Sequence, residues 1–423
     1  MPARSHLAIL LLLGALPVGA PSARAQVAPA GPDWSWDAAV GYDSFTHTYA
    51  LADADTSETV SELRVQLGWE GRSAPGSRRA WRLRVEGSAG SDLFRERLEA
   101  DWRGVDHTGV TRVRAGVRVH GLQYRGVTDD SGSSDQLEGR LDGQAVPLAR
   151  DGGELFVQGW AASTAFARSS PLEQDLREVG LGAGVRSRGL GDATWLLAIR
   201  NAARTYPDST VIDRRSWSME ADAARALGEG GSARLYLRSE HRLAAETTVR
   251  PDAWLHWLDA AGHLPAAGGE LVLEAQAERW DYGSTTDAYQ DSWRLAGLAG
   301  VRCGDVLSLQ WLLGLAAERF DTGESSESYT QAGLRAGLEA FGSRLSGSCT
   351  VEYGRRDHRE PTSGDEWTTW TDFNYWRLWL LADYRVAADL SLSVLGSWEP
   401  ERHAEPADDV SLGFASLRLV WRP

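Results

Sequence analysis

The chain has 423 residues and a formal charge of −15, and all 44 of its basic residues are Arg. A net negative charge argues against nucleic-acid binding, which needs a basic footprint. Beyond residue 25 no uncharged apolar run approaches the roughly 20 residues of a transmembrane helix, so a membrane crossing would have to be made by strands.

At the N-terminus, Arg4 and His6 precede an apolar run from Leu7 to Val18, and Ala23-Arg24-Ala25 has the small-x-small spacing of a cleavage site. This is the plan of a secretory signal peptide over residues 1–25. No Cys follows the cleavage site, so a lipid anchor is not expected. Residues 26–32 form a short Pro/Ala lead-in, too short for a plug domain, and 33–423 reads as one domain.

The stretch from Ala80 to Leu122 sets the pattern for that domain. Trp81, Leu83, Val85, Gly87 and Ala89 alternate with Arg82, Arg84, Glu86 and Ser88. Leu98, Ala100 and Trp102 alternate with Arg97, Glu99, Asp101 and Arg103; Val113, Ala115, Val117 and Val119 alternate with Arg112, Arg114, Arg118 and His120. Side chains alternate across a strand, so each segment has one apolar face and one charged face. The pattern continues to the C-terminus. A chain built this way needs hydrocarbon on one side and water on the other, which a transmembrane β-barrel supplies. The apolar parity includes Leu83, Val85, Val113, Val117, Leu181, Leu197, Leu309, Trp311, Leu334 and Leu392.

Two kinds of connection alternate. Tight Gly/Asp/Ser turns fall at Ser73–Gly76, Gly104–Thr108, Asp151–Gly153, Gly189–Asp192, Gly228–Gly231, Ala266–Gly269, Cys303–Asp305, Gly342–Ser343 and Ala387–Asp389. Longer polar connections include Ala52–Ser57, Arg125–Asp135, Thr205–Asp213, Asp321–Ser328, Asp357–Thr369 and Pro400–Asp408. Short turns on one rim and longer loops on the other predict an all-β, single antiparallel up-and-down barrel of about 20 strands, within 18 to 22. The alternation blurs over Leu137–Ala167 and Leu243–His263, where strand placement is least defined.

Over Asp33 to Pro423 the chain resembles the Gram-negative outer-membrane β-barrels in general, a porin-like class, with no motif that selects a named family. The resemblance implies a bacterial outer-membrane location and contact with membrane lipid and lipopolysaccharide. It also implies recognition of the last strand by the assembly machinery. There Leu417, Leu419 and Trp421 alternate, but Arg422 and Pro423 follow, a departure from a terminal aromatic.

Candidate chemistry lies on the charged parity. Arg82, Arg84, Arg97, Arg112, Arg114 and Arg118 form a basic strip on three consecutive strands, and Glu274, Glu278, Glu318, Glu339 and Glu352 make a later stretch lean acidic. Charged rings in a lumen tune ion selectivity, whereas cross-strand Arg–carboxylate pairs could equally satisfy one another. The strip suggests a passive or weakly substrate-biased channel for small polar or charged solutes. The alternative is a non-conducting scaffold, adhesin or assembly component whose lumen is filled by side chains. Trp367, Trp370, Phe373, Tyr375, Trp376 and Trp379 read first as an interfacial girdle, and Asp129–Asp135 as a solvated loop without calcium-loop spacing. Scattered His residues, and Ser239 with His241 on one parity, give no catalytic set, and no cofactor or metal motif is present. Cys303, read as part of a turn, and Cys349, about two strands further on, are too far apart in such a sheet to be joined, and two free thiols are expected.

Overall fold

The structure, a computed structural model, describes residues 32–51, 54–74, 78–90, 93–105, 112–124, 135–150, 152–167, 174–187, 193–286, 289–305, 307–323, 326–360 and 371–423. The expected signal peptide, most of the lead-in, the acidic loop up to Ser134, Trp367 and Trp370 lie outside them.

Twenty strands form one sheet: β1 (Asp33–Leu51), β2 (Ala54–Arg72), β3 (Arg79–Ala89), β4 (Leu93–Val105), β5 (Arg112–Tyr124), β6 (Gln136–Arg150), β7 (Gly153–Phe166), β8 (Leu176–Ser187), β9 (Ala193–Thr205), β10 (Arg214–Ala226), β11 (Ser232–Ala244), β12 (Ala253–Ala266), β13 (Gly269–Tyr282), β14 (Ser292–Gly304), β15 (Leu309–Thr322), β16 (Tyr329–Phe341), β17 (Leu345–His358), β18 (Phe373–Arg385), β19 (Leu390–His403) and β20 (Val410–Trp421). Each strand pairs antiparallel with its sequence neighbours, and β1 pairs with β20 over Ala38–Tyr49, which closes the barrel. Thirteen residues at about 3.3 Å each, tilted about 45°, cover about 30 Å, the thickness of a bilayer core.

One end of the barrel carries the tight turns and the C-terminus, and the opposite end carries most of the longer connections. The expected tight turns all join strands at the turn end, within a few residues. One expectation shifts: Cys303 belongs to β14, which runs to Gly304, and β15 begins at Leu309. Both cysteines are free. At the loop end β1 and β2 run further than expected and pair down to Leu51 and Ala54. β2 pairs with β3 over Val65–Arg72, and among the described residues its loop-end half is ladder-paired with β1 alone.

Every residue named above for the apolar parity lies on the outward face, and Leu181 is the most exposed of them at 73%. Cross-strand register carries this parity around the ring without interruption except in β6. There the pairing with β7 shifts between Ala145 and Leu148. Val146 keeps the inward parity of Gln144 and is buried, and the bulge at Val146-Pro147 then returns Leu148 to the outside. Pro has no N–H for the ladder, and a bulge is where a strand tolerates it. This explains why the alternation blurred. In β12 the blur has another cause: Ala253 and Leu255 are apolar, yet buried on the inward face.

The outward aromatics fall into two belts. Near the turn end Trp34 stacks on Trp69 at 4.5 Å and meets Trp81 at 5.4 Å, and Trp36 meets Trp421 edge-on at 4.8 Å. Near the loop end Trp217, Trp254, Trp293, Trp376 and Trp398 are exposed. Trp293 lies ten ladder positions from Cys303, which is opposite Trp311. That is about 33 Å along the strand and about 23 Å along the barrel axis, the height of the apolar band of such barrels.

Candidate functional site in the barrel lumen

The inward face is polar and charged. All six residues of the basic strip lie on it, on β3, β4 and β5, and each guanidinium has a carboxylate partner. Arg82 donates to Glu70 at 2.8 Å, Arg84 to Glu86 at 2.9 Å and Arg97 to Glu99 at 2.6 Å. Arg112 bonds Glu154, Arg114 reaches Asp101 at 3.3 Å and Arg118 approaches Glu99 at 3.9 Å. The strip is thus a paired wall whose guanidiniums are held against the sheet.

The five acids also face inward, on β13, β15, β16 and β17, but they do not form a bare acidic wall. Glu318 accepts two bonds from Arg294, at 2.9 and 2.8 Å, and one from Tyr329 at 2.6 Å. Glu352 accepts from Arg335 and from the Tyr375 hydroxyl, each at 2.7 Å, with Arg377 at 3.9 Å. Glu278 accepts the Trp280 indole N–H at 2.7 Å. Glu274 and Glu339 line one small cavity with Arg302 and Arg335. Arg and acid therefore interleave on both sides of the barrel.

Large inward side chains lie along the wall rather than across the lumen. β8 presents Gly180 and Gly184 inward, and neighbouring rings occupy the space a Cβ would fill. A Cβ at Gly180 would sit 2.1 Å from the Trp160 ring, and one at Gly184 would sit 2.6 Å from Phe156. Phe156 packs with Val146 and Ala198 into an apolar cluster on the inner wall.

Despite this packing the lumen holds solvent-accessible side chains midway along the strands. Arg118, near the centre of β5, has half its side chain exposed (50%), and Trp379, near the centre of β18, is 49% exposed on the inward face. In a closed barrel such exposure requires open space inside.

Two features were not read from the sequence. The first is a clustering of guanidiniums that is not the strip itself. It is a polar cavity of about 610 Å³ on the inner wall of β5–β11, to which the strip contributes only Arg114 and Arg118. β6, β9, β10 and β11 supply one or two Arg each, so only their parity, followed strand by strand around the ring, could have gathered them. The second is a ladder row of mostly apolar residues on the opposite wall: Trp379, Ser397, Phe414, Phe45 and Val60 are successive cross-strand neighbours on β18, β19, β20, β1 and β2. The aromatic group at the start of β18 accordingly divides by parity, with Phe373, Tyr375 and Trp379 inward and only Trp376 in the outer belt.

Ser239 and His241 both face outward. Ser239 bonds Nδ1 of His256 at 3.0 Å, whereas His241 stacks on Trp254 at 4.3 Å. No group of three His, Cys, Asp or Glu able to hold a metal occurs among the described residues.

No family model matches the sequence, and no curated protein matches it. Solved structures do. The copper transporter OprC is 11% identical, with 95% of this chain and 82% of that one covered and a TM-score of 0.59. The siderophore receptor PirA from Pseudomonas aeruginosa is 11% identical over 93% and 81% of the two chains, with a TM-score of 0.53. The siderophore receptor PirA from Acinetobacter baumannii is 7% identical over 90% and 80%, also at 0.53. At these identities the likeness is one of fold. The fold is that of the Gram-negative outer-membrane barrels, and the belted, apolar outward face places the chain in that membrane.

Proposed function

We propose that the barrel is a passive, weakly anion-favouring channel for small polar or charged solutes. The observation that carries this reading is the half-exposed Arg118 at mid-barrel, which calls for a water-filled lumen at the depth where a closed barrel would be packed. The basic strip supplies the bias. A guanidinium stays charged in any lumen environment, and paired guanidiniums that remain part-exposed attract anions weakly at several positions, as conduction requires. Fold neighbours that are transporters and receptors of the outer membrane agree with a transport role.

The complete pairing of the strip favours the second reading, a non-conducting scaffold or adhesin. The two are separated by reversal potential in a salt gradient across a planar bilayer. Replacing Arg82, Arg84, Arg112 and Arg114 with Gln should shift it toward cations with the fold intact. An unchanged potential in the variant would make the strip structural pairing alone.

On the outward rim at the loop end, Arg279, Arg319 and Arg355 each lie two residues before an Asp they bond. Such exposed pairs at the level of the aromatic belt suit the phosphates of lipopolysaccharide and the divalent ions that bridge them. Recognition of β20 by the assembly machinery belongs to the same reading. No catalytic role is proposed: the Ser239–His256 pair faces hydrocarbon.

A further inference from the structure

We infer that the cavity on the inner wall of β5–β11 is a binding site for a small multivalent oxyanion bearing phosphate or carboxylate groups. The inference rests on the reading of the lumen as water-filled and names what its basic side recognises.

Eight guanidiniums line this cavity against three carboxylates, Asp142, Glu178 and Glu240. Most of the eight have partners on the same wall. Arg204 donates to Glu178 at 2.6 Å, Arg238 and Arg242 share Glu240 at 2.7 and 2.9 Å, and Arg200 meets Glu220 at 2.5 Å. The guanidiniums of Arg140 and Arg214 have no hydrogen bond or ion pair among the described residues, and the Arg140 Nε is shut off from solvent without an acceptor.

The register makes this surplus more pointed. Arg118 is directly opposite Arg140 on the β5–β6 ladder, and Arg204 is directly opposite Arg214 on the β9–β10 ladder. Directly opposed residues have Cβ atoms about 5 Å apart, where like charges repel. Two such pairs border one cavity, and each contains one guanidinium without a partner. A dianion or trianion seated between them would relieve both repulsions at once. The planar forks of Arg match the paired oxygens of phosphate and carboxylate.

Position and size agree. Arg204 and Arg214 lie at the loop ends of β9 and β10, and Arg242 near the loop end of β11 borders a second cavity with Arg250 of the following connection. The basic surface therefore runs from the loop-end mouth into the lumen. A volume of about 610 Å³ exceeds one inorganic phosphate and suits an organic polyanion.

The test is equilibrium binding to the purified barrel in neutral detergent, with pyrophosphate and citrate as probes and chloride as the reference anion. Saturable binding of one or both probes is expected, weakened at least tenfold by Arg140→Gln with Arg214→Gln and unaffected by Arg225→Gln on the outward face of β10 near the turn end. Removing like charges relieves repulsion, so the double variant should fold, and the wild-type measurement stands without it. A preference for pyrophosphate assigns the site to phosphates and a preference for citrate to carboxylates. Absence of saturable binding to the wild type, or binding unchanged in the double variant, overturns the proposal. Binding without bilayer conductance retains the site and removes the channel; conductance without binding does the reverse.

Discussion

At the scale of single residues, the lumen is stabilised by acids that serve several donors. Glu352 is nearly fully buried and accepts from Arg335 and from the buried Tyr375 hydroxyl. Water can replace the acceptor for the part-exposed Arg335 but not for Tyr375. Glu352→Ala should therefore cost about 1–3 kcal/mol, the penalty for an unsatisfied buried donor. Glu278→Ala, which deprives Trp280 of its indole acceptor on a more open wall, should cost less. Urea midpoints in detergent micelles check the ranking, and a larger loss at Glu278 would contradict it. The charge and parity of both glutamates were legible in the sequence. Their partners were not, because Tyr375 and Arg335 reach Glu352 from neighbouring strands and only the register brings them together.

At the scale of elements, alternation located nearly every strand, because each has one face in hydrocarbon and one in water. It failed where that logic is suspended, at the Val146-Pro147 bulge of β6 and at the inward apolar residues of β12. Two substitutions on β8 test its two faces separately. Leu181→Arg puts a charge on the outward face near mid-strand and should cost about 2–4 kcal/mol of folding into lipid vesicles. Gly180→Leu drives a side chain into the Trp160 ring, and overpacking of this kind costs about 1–3 kcal/mol. Adding Trp160→Ala to the Gly180→Leu chain should recover much of that loss, since it removes the ring that is struck. Failure of this rescue would mean that the ring does not lie against β8. Gly180 was not singled out in the sequence. Its use as a seat for an aromatic ring required the neighbour's rotamer.

At the scale of the whole molecule, strand number, closure and the two-rim arrangement of connections were all legible, because hydrogen-bonded strands without an apolar second layer have one stable closure. The distribution of charge around the lumen was only half legible. Local density in sequence pointed to β3–β5, where guanidiniums are paired, whereas curvature gathers the cavity-lining ones from five strands, β5, β6, β9, β10 and β11. The central claim is that side chains lie along the wall and leave the lumen open, and it is tested most directly by single-channel recording of the purified barrel in a planar bilayer with symmetric KCl. Stepwise, ohmic conductance is expected, falling when polyethylene glycols small enough to enter the lumen are added. Membranes in which folded barrel is demonstrably inserted but no current steps appear would contradict the account and leave the barrel a closed scaffold.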